Sequence, residues 1–489
     1  MKSREPKQPS WVVSLLPVMS LVAIMFLVVR IFGKEALGGG SQLALIISAG
    51  FGIFLAILVY KCPWENLENA IQENIKGVSS GILILLMIGV VSGSWMVSGI
   101  VPTLICYGLK VIPPSVFLFA TCLICAIVSI LTGSSWTTVA TIGVALLSIG
   151  NALGFSEALT AGAILSGAYF GDKISPLSDT TVMASATANV PLFTHIKYML
   201  VTTIPSFTIT IIIFLVLSLC LNSVDVNQGN VTADVLRSTF NISPWLLVVP
   251  VFTGFLIYKK VPAFLTLLLS GIAACVTALI AQPDIISEVS ASAMAQDFIQ
   301  HDNLDWMRGT MITCFGSTHI ETGNEVVNEL ISTMGMNGMM PTVFLIICAA
   351  MFGGVLRGSG MIQSLTAALT RNIKSRTSLV ASTVATGLLS NLTMSDQYLS
   401  IIMTCNLFRK LYKDMGYENR LLSRSVEDSA TVTSVLIPWN TCAMTQSTLL
   451  RMPTLEYMPF CFFNILSPLM SIIIAAIGYK IVKKGEPAN

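Results

Sequence analysis

Gly171-Asp172-Lys173-Ile174-Ser175-Pro176-Leu177-Ser178-Asp179-Thr180-Thr181 places two carboxylates, four hydroxyls and a proline inside a chain that is otherwise oily. A second stretch runs from Glu427-Asp428-Ser429-Ala430-Thr431 to Pro438-Trp439-Asn440-Thr441 and repeats that chemistry in the other half. Each sits where hydropathy demands a membrane-spanning element. A carboxylate at bilayer depth costs roughly +2.5 to +3.5 kcal/mol on insertion scales, so it must face a partner, water or an ion. Proline interrupts the helix and frees backbone carbonyls, which are cation ligands. Two such breaks, one per half, form the pattern of a secondary carrier built from repeats around a midplane ion site.

Composition supports the membrane assignment. Hydrophobic residues make up 54% of the 489 positions and charged residues 11%. Mean hydropathy is +0.79. A soluble domain carries about 25% charge. The formal net charge of +2 offers no basic surface for nucleic acid. The histidines, His195, His301 and His319, are scattered and form no metal cluster. Cys122-Leu-Ile-Cys125 lies in an apolar run and reads as buried small side chains. Residues 11–32 are too long for a signal h-region and lack an Ala-x-Ala site, so they read as a first span. No G-x-x-x-x-G-K-[ST] loop is present, so transport is expected to be secondary.

Spans need about 20 apolar residues. Candidates are 11–32, 41–60, 79–101, 113–132, 194–221, 244–258, 262–281, 340–357, 377–389 with its continuation, and 458–482. Interrupted segments fill 134–153, 157–188, 310–335, 397–412 and 420–450. The expectation is an all-α polytopic membrane protein of about eleven or twelve spans, some broken. Lys2, Arg4, Lys7, Lys259-Lys260, Arg371, Lys374, Arg376, Arg409, Lys410, Lys413, Lys480, Lys483 and Lys484 mark one side, while 222–243 and 282–308 are poor in basic residues. By the positive-inside rule both termini are cytoplasmic and those two loops are outside.

The halves look related. Gly89-x-x-x-Gly93 with Ser98-Gly99-Ile100 recurs as Gly354-x-x-x-Gly358 with Ser359-Gly360-Met361, an offset of 261 (360 minus 99). Thr132-Gly133-Ser134-Ser135-Trp136 pairs with Ser390-Asn391-Leu392-Thr393-Met394, and Asp172 with Glu427-Asp428. The span pair before the first polar parts runs in-to-out then out-to-in, and the pair at 244–281 runs the opposite way, which is inverted topology. The first half, 1–222, then holds a re-entrant hairpin near 113–153 and a broken helix near 157–188. An external loop covers 223–243. The second half, 244–489, holds a hairpin near 377–412 and a broken helix near 420–450.

The first break offers Asp172, Ser175, Ser178, Asp179, Thr180 and Thr181 as oxygen ligands, the kind a hard cation such as Na+ prefers. Asp172 and Asp179 are the candidate shared Na+/H+ site, since burial and like-charge proximity let protons compete with the metal ion. Ser175-Pro176 also reads as a helix N-cap followed by proline at the first helical position. In the second break Asp428, Asn440 and Thr441 are the ligand candidates, and Arg424 is placed to pair with Glu427 at a helix end. The stretches 132–138 and 390–396 are candidate hairpin tips, bringing Ser134, Asn391 and Asp396 toward the ion site. Glu321 and His319 lie in a segment too polar for a plain span, a candidate lid, and Arg357 ends a span where it can snorkel. Lys173 follows Asp172 directly, so on a helix it points about 100° away, toward the surface.

At these residues the chain resembles the NhaC-type sodium/proton antiporter family. The resemblance is carried by Ser166-Gly-Ala-Tyr-Phe-Gly171-Asp-Lys-Ile-Ser-Pro176-Leu-Ser-Asp179-Thr-Thr181, by Met334-Gly-Met-Asn-Gly-Met-Met340, and by Phe352-Gly-Gly354 through Ser359-Gly360. It implies inverted repeats, re-entrant hairpins, a scaffold beside a transport domain, and often a homodimer. It also implies exchange of Na+ for H+ in the cytoplasmic membrane, with no cofactor beyond the two transported ions and no enzymatic activity. Close relatives couple these ions to malate–lactate exchange. An organic-anion or amino-acid exchanger is the alternative, and it would need donors such as Lys173, Arg357 or half-helix N-termini. An intramembrane aspartyl protease would set its two aspartates on adjacent helices around one water, which a pair within one break does not do. A passive channel has no use for titratable carboxylates in paired broken helices.

Overall fold

The computed structural model describes residues 9–32, 38–221, 226–259, 261–292, 304–370 and 373–481. Lys2, Arg4, Lys7, Lys260, His301, Arg371, Lys483 and Lys484 lie outside the described residues. The described chain is helical, with one isolated β-bridge between Thr318 and Thr333.

The first half contains α1 Trp11–Phe32, α2 Gly40–Phe54, α3 Trp64–Val97, α4 Ile100–Val111, α5 Phe117–Thr132, α6 Ser135–Thr138, α7 Val144–Ala152, α8 Glu157–Ile174, α9 Asp179–Thr187 and α10 Leu192–Cys220. A middle section follows, with α11 Val226–Thr239, α12 Val248–Tyr258, α13 Ala263–Ala281, α14 Pro283–Ser292, α15 Asp305–Phe315 and α16 Glu325–Ile331. The last section comprises α17 Met340–Gly358, α18 Met361–Thr370, α19 Arg376–Met394, α20 Gln397–Asp414, α21 Asn419–Val426, α22 Thr441–Leu449, α23 Thr454–Tyr457 and α24 Phe462–Ile477.

Among the described residues, seven helices are long and apolar enough to cross a membrane, or up to nine if each bent pair counts as one span. The larger expected number included the interrupted segments, most of which fold as helices joined by breaks, while 397–412 lies within the unbroken α20. Long apolar side chains on the outer spans face outward, as Ile31, Ile212, Val251 and Ile280 do. That is the surface a lipid solvent requires.

The two small-xxx-small motifs serve close approach. A Cβ on Gly89 of α3 would lie 2.7 Å from the Gly335 carbonyl, and one on Gly354 of α17 would lie 2.6 Å from the backbone of Ile71. The first lets the irregular segment between α16 and α17 lie against α3, and the second lets α17 pack along α3.

Local backbone geometry recurs at an offset of 262. α5 ends at Gly133 in the left-handed region, φ 66, and α19 ends at Ser395, φ 57 (395 minus 133 is 262). The next residues, Ser134 and Asp396, are both extended, and both cap the following helix with their side chains. Ser134 accepts from the Thr137 N–H at 3.2 Å and Asp396 from the Leu399 N–H at 3.0 Å. Ser178 and Asn440 cap α9 and α22 in the same way, accepting from the Thr181 and Cys442 N–H groups. Pro176 and Pro438 share the offset. The second hairpin tip is therefore Ser395-Asp396. Ser390–Met394, matched to the first tip by composition, forms the last turns of α19, because its Asn391 finds partners inside the protein and the chain has no need to turn there. The geometric counterpart of Asp172 is likewise Ser434 (434 minus 172 is 262), not Glu427-Asp428.

Candidate ion-binding site between the two breaks

The first break spans Ser175–Ser178, between α8 and α9. Pro176 supplies no N–H, and the neighbouring polar groups are satisfied locally. Ser175 donates to the Ile130 carbonyl at 2.8 Å, and Thr181 donates to the Lys173 carbonyl at 2.9 Å. The Ser178 and Thr180 hydroxyls meet at 2.9 Å. Ser175 and Thr181 thus hold the break in shape, while Ser178 and Thr180 face a cavity.

Asp172, 6% exposed, accepts from the Ser135 N–H at 3.1 Å and the Ser135 hydroxyl at 2.7 Å. The last turn of α8 is thereby clamped to the first hairpin tip. Gly133 completes the junction: a Cβ there would lie 2.6 Å from the Leu177 backbone, so the tip seats directly on the break. A cavity of about 590 Å³ opens beside this junction. Asp172, Asp179, Ser134, Ser178 and Thr180 line it from the first half, and Gln397 and Tyr398 from the second hairpin tip. Asp179 is exposed and begins α9. Among the described residues no lysine, arginine or histidine lines the cavity.

Lys173 does not reach the surface. Its side chain is fully buried, pairs with Asp428 and donates to the Ser467 hydroxyl at 2.9 Å. Asp428 also accepts from Thr202 at 3.0 Å and Ser467 at 3.3 Å. A lysine in the membrane interior needs a counter-charge, and the tight space between α8, α10 and α24 leaves it no route to snorkel. Arg424 is also fully buried, and it faces Asp428 rather than Glu427. Its Nε is 3.9 Å from the Asp428 Oδ2, one helical turn on, and its guanidinium covers the Tyr198 ring at 4.7 Å. Glu427 is not a surface group at a helix end. It is 0% exposed, at the start of a widened π-turn, Glu427–Thr431, that continues α21.

The remaining candidates gather at the second tip. Asn391 donates to the Ala430 carbonyl at 2.8 Å and to Thr433 at 3.0 Å. Asn440 reaches Asn391 at 3.4 Å, and Thr441 donates to Asp396 at 3.3 Å. This group is buried and its polar atoms are largely spent on one another. Its link to the cavity is through Gln397 and Tyr398. The same contacts recur with donor and acceptor side chains rearranged. Ser129 donates to the Ala168 carbonyl at 2.6 Å, as Asn391 does to Ala430 at 262 positions further on. Ser135 donates to Asp172, while at the equivalent positions Ser434 donates to Gln397 at 3.4 Å.

The sequence reading missed Gln397, Tyr398, Thr202 and Ser467. Gln397 and Tyr398 could have been found, because they directly follow Asp396 at a proposed tip. Thr202 and Ser467 carry no signal in one sequence, since lone hydroxyls in apolar helices usually bond their own backbone. Glu321 and His319 are exposed in an irregular segment, where Glu321 binds Asn328 at 2.9 Å, away from the cavity lining. Arg357 pairs with Glu73 and donates to Asn74 at 3.2 Å, so it is tied to α3 and not simply snorkelled.

A family model described as the Na+/H+ antiporter family matches residues 10–191 and 167–479. The chain belongs to this antiporter family. The Na(+)/H(+) antiporter NhaC of Alkalihalophilus pseudofirmus is 38% identical over 447 residues, 91% of each chain. The Na(+)/H(+) antiporter NhaC of Bacillus subtilis is 35% identical over 421 residues, 86% of this chain and 88% of the other. The Malate-2H(+)/Na(+)-lactate antiporter of Bacillus subtilis is 33% identical over 440 residues, 89% of each chain. This antiporter-family chain is thus a multi-pass membrane protein with broken helices, and its two polar breaks meet through Lys173 and Asp428.

Proposed function

We propose that this chain exchanges Na+ for H+ across the cytoplasmic membrane as a secondary active antiporter. The observation that carries the reading is the cavity lined by Asp172 and Asp179 without any basic side chain among the described residues. Such a lining attracts a cation and repels an anion. Ionised, the two carboxylates with Ser134, Ser178 and Thr180 offer Na+ a set of hard oxygen ligands. Protonated, they lose the charge that holds it, so the two ions compete. The chain performs no covalent chemistry in this reading. The two hairpins and two breaks form inverted repeats, both termini lie in the cytoplasm, and the protein works as a homodimer in the bilayer. The recurrent tip and cap geometry supports the repeats, and the placement of basic residues supports the orientation.

An organic-anion exchanger would need a free cation at the site. Lys173 is the basic residue inside either break, and Asp428 already holds it. Purified protein in liposomes with an internal pH dye tests the reading. A Na+ gradient should drive proton movement. Malate, lactate and amino acids should drive none and should show no counterflow. Proton movement that requires an organic solute would replace Na+/H+ exchange with the malate–lactate type of coupling.

A further inference from the structure

We propose that Glu427 is a second proton-carrying group of the exchange cycle, distinct from the carboxylates that line the cavity. The inference rests on the Na+/H+ reading above and names a residue that reading does not use. Glu427 is 0% exposed, and neither of its carboxylate oxygens has a hydrogen-bond partner. A buried ionised carboxylate in that condition is strongly disfavoured, whereas a neutral acid is tolerated. The titratable and charged groups around it are Asp172 and Lys173 on α8, its neighbour Asp428 in the π-turn and Cys405 on α20, while Arg424 is set against Asp428 and His195 against Ser423.

The charge balance of this cluster leaves Glu427 over. Lys173 and Arg424 contribute two positive charges. Asp428, which accepts from Lys173, Thr202 and Ser467, and Asp172, which accepts twice from Ser135, contribute two negative charges. The sum is zero with Glu427 neutral. Loss of its proton makes the buried cluster net negative. Na+ arriving beside Asp172 restores neutrality. Na+ uptake at the cavity and proton release from Glu427 are thereby linked through one electrostatic balance. Asp428 is a counter-ion in this scheme and not a Na+ ligand. The proton released from Glu427 passes to water and is regained from it, and no other bond changes. The widened turn at Glu427–Thr431 also places Thr431 one turn on, and its buried hydroxyl has no hydrogen-bond partner either.

The test uses the full-length protein in liposomes, wild type beside Glu427→Gln and Glu427→Asp. Two quantities are measured: exchange of labelled for unlabelled Na+ at equal pH, and Na+-driven proton movement. Glu427→Gln should keep the isotope exchange and move fewer protons per Na+ than the wild type. Glu427→Asp should keep both, with a displaced pH profile. Proton movement in Glu427→Gln equal to wild type overturns the inference. So does loss of both activities in Glu427→Gln with an unchanged pH profile in Glu427→Asp. If Glu427→Gln fails to insert, the Glu427→Asp profile decides alone: displaced supports the inference, unchanged overturns it. Absence of Na+-driven proton movement in the wild type would instead remove the Na+/H+ reading itself.

Discussion

Lys173 and Asp428 lie 255 positions apart and form a fully buried ion pair that joins the first polar break to the second. Each half thus holds the counter-charge of the other. The pair has three further polar contacts, from Thr202 and Ser467, so it is better satisfied than a bare buried salt bridge.

Breaking this pair from one side leaves an uncompensated charge in the membrane interior. Lys173→Met and Asp428→Asn should each destabilise the protein by about 3–5 kcal/mol. The double variant should lose less than the sum of the two. Thermal unfolding of the purified variants measures this, and strictly additive losses would show that the residues do not act as a pair.

The two cavity acids should separate by their structural duties. Asp172→Asn and Asp179→Asn should both abolish Na+-driven proton movement. Asp172 also anchors Ser135 at the first tip, and a hydrogen bond to a charged group is worth about 1.5–3 kcal/mol. Asp172→Asn should therefore lower the melting temperature, while Asp179→Asn, at an exposed position, should leave it unchanged. Full exchange in both variants would move the cation site elsewhere.

The hairpin tips predict substitutions of opposite sign. Gly133 has φ 66 and sits against the Leu177 backbone, so Gly133→Ala adds both backbone strain and a clash. Ser395 has φ 57, a conformation that costs a side-chain-bearing residue roughly 1–2 kcal/mol. Ser395→Gly relieves that cost. Gly133→Ala should be destabilising and Ser395→Gly neutral or stabilising. The same sign at both sites, read by thermal unfolding, would contradict the paired tip geometry.

The membrane class, the two breaks and the first tip were legible because they are written as composition against an apolar background. Asp172, Ser178, Asp179 and Thr180 could be placed at a common cavity from spacing around one proline. The fate of Lys173 was not legible, because helical geometry gives the direction of a side chain but not what waits there. Its partner is on an element hundreds of residues away. Arg424 failed for a related reason. Three and four residues both lie on the same helical face, and only packing chose Asp428 over Glu427. The match to the second tip was set four residues too early because Ser390–Met394 resembles the first tip in composition, while the turn itself depends on which residue takes the left-handed conformation.

The reversed contact, Ser135 to Asp172 in one half and Ser434 to Gln397 in the other, means that the two halves are not interchangeable. The halves share their tip and cap geometry and divide the labour of their side chains. Acids occupy positions 172 and 179 of the first half, where the second half carries Ser434 and Thr441. The first tip carries Ser134 where the second carries Asp396. Neither half is a spare copy. A chain built from two first halves would carry Asp172 and Asp179 twice over, and one built from two second halves would have neither.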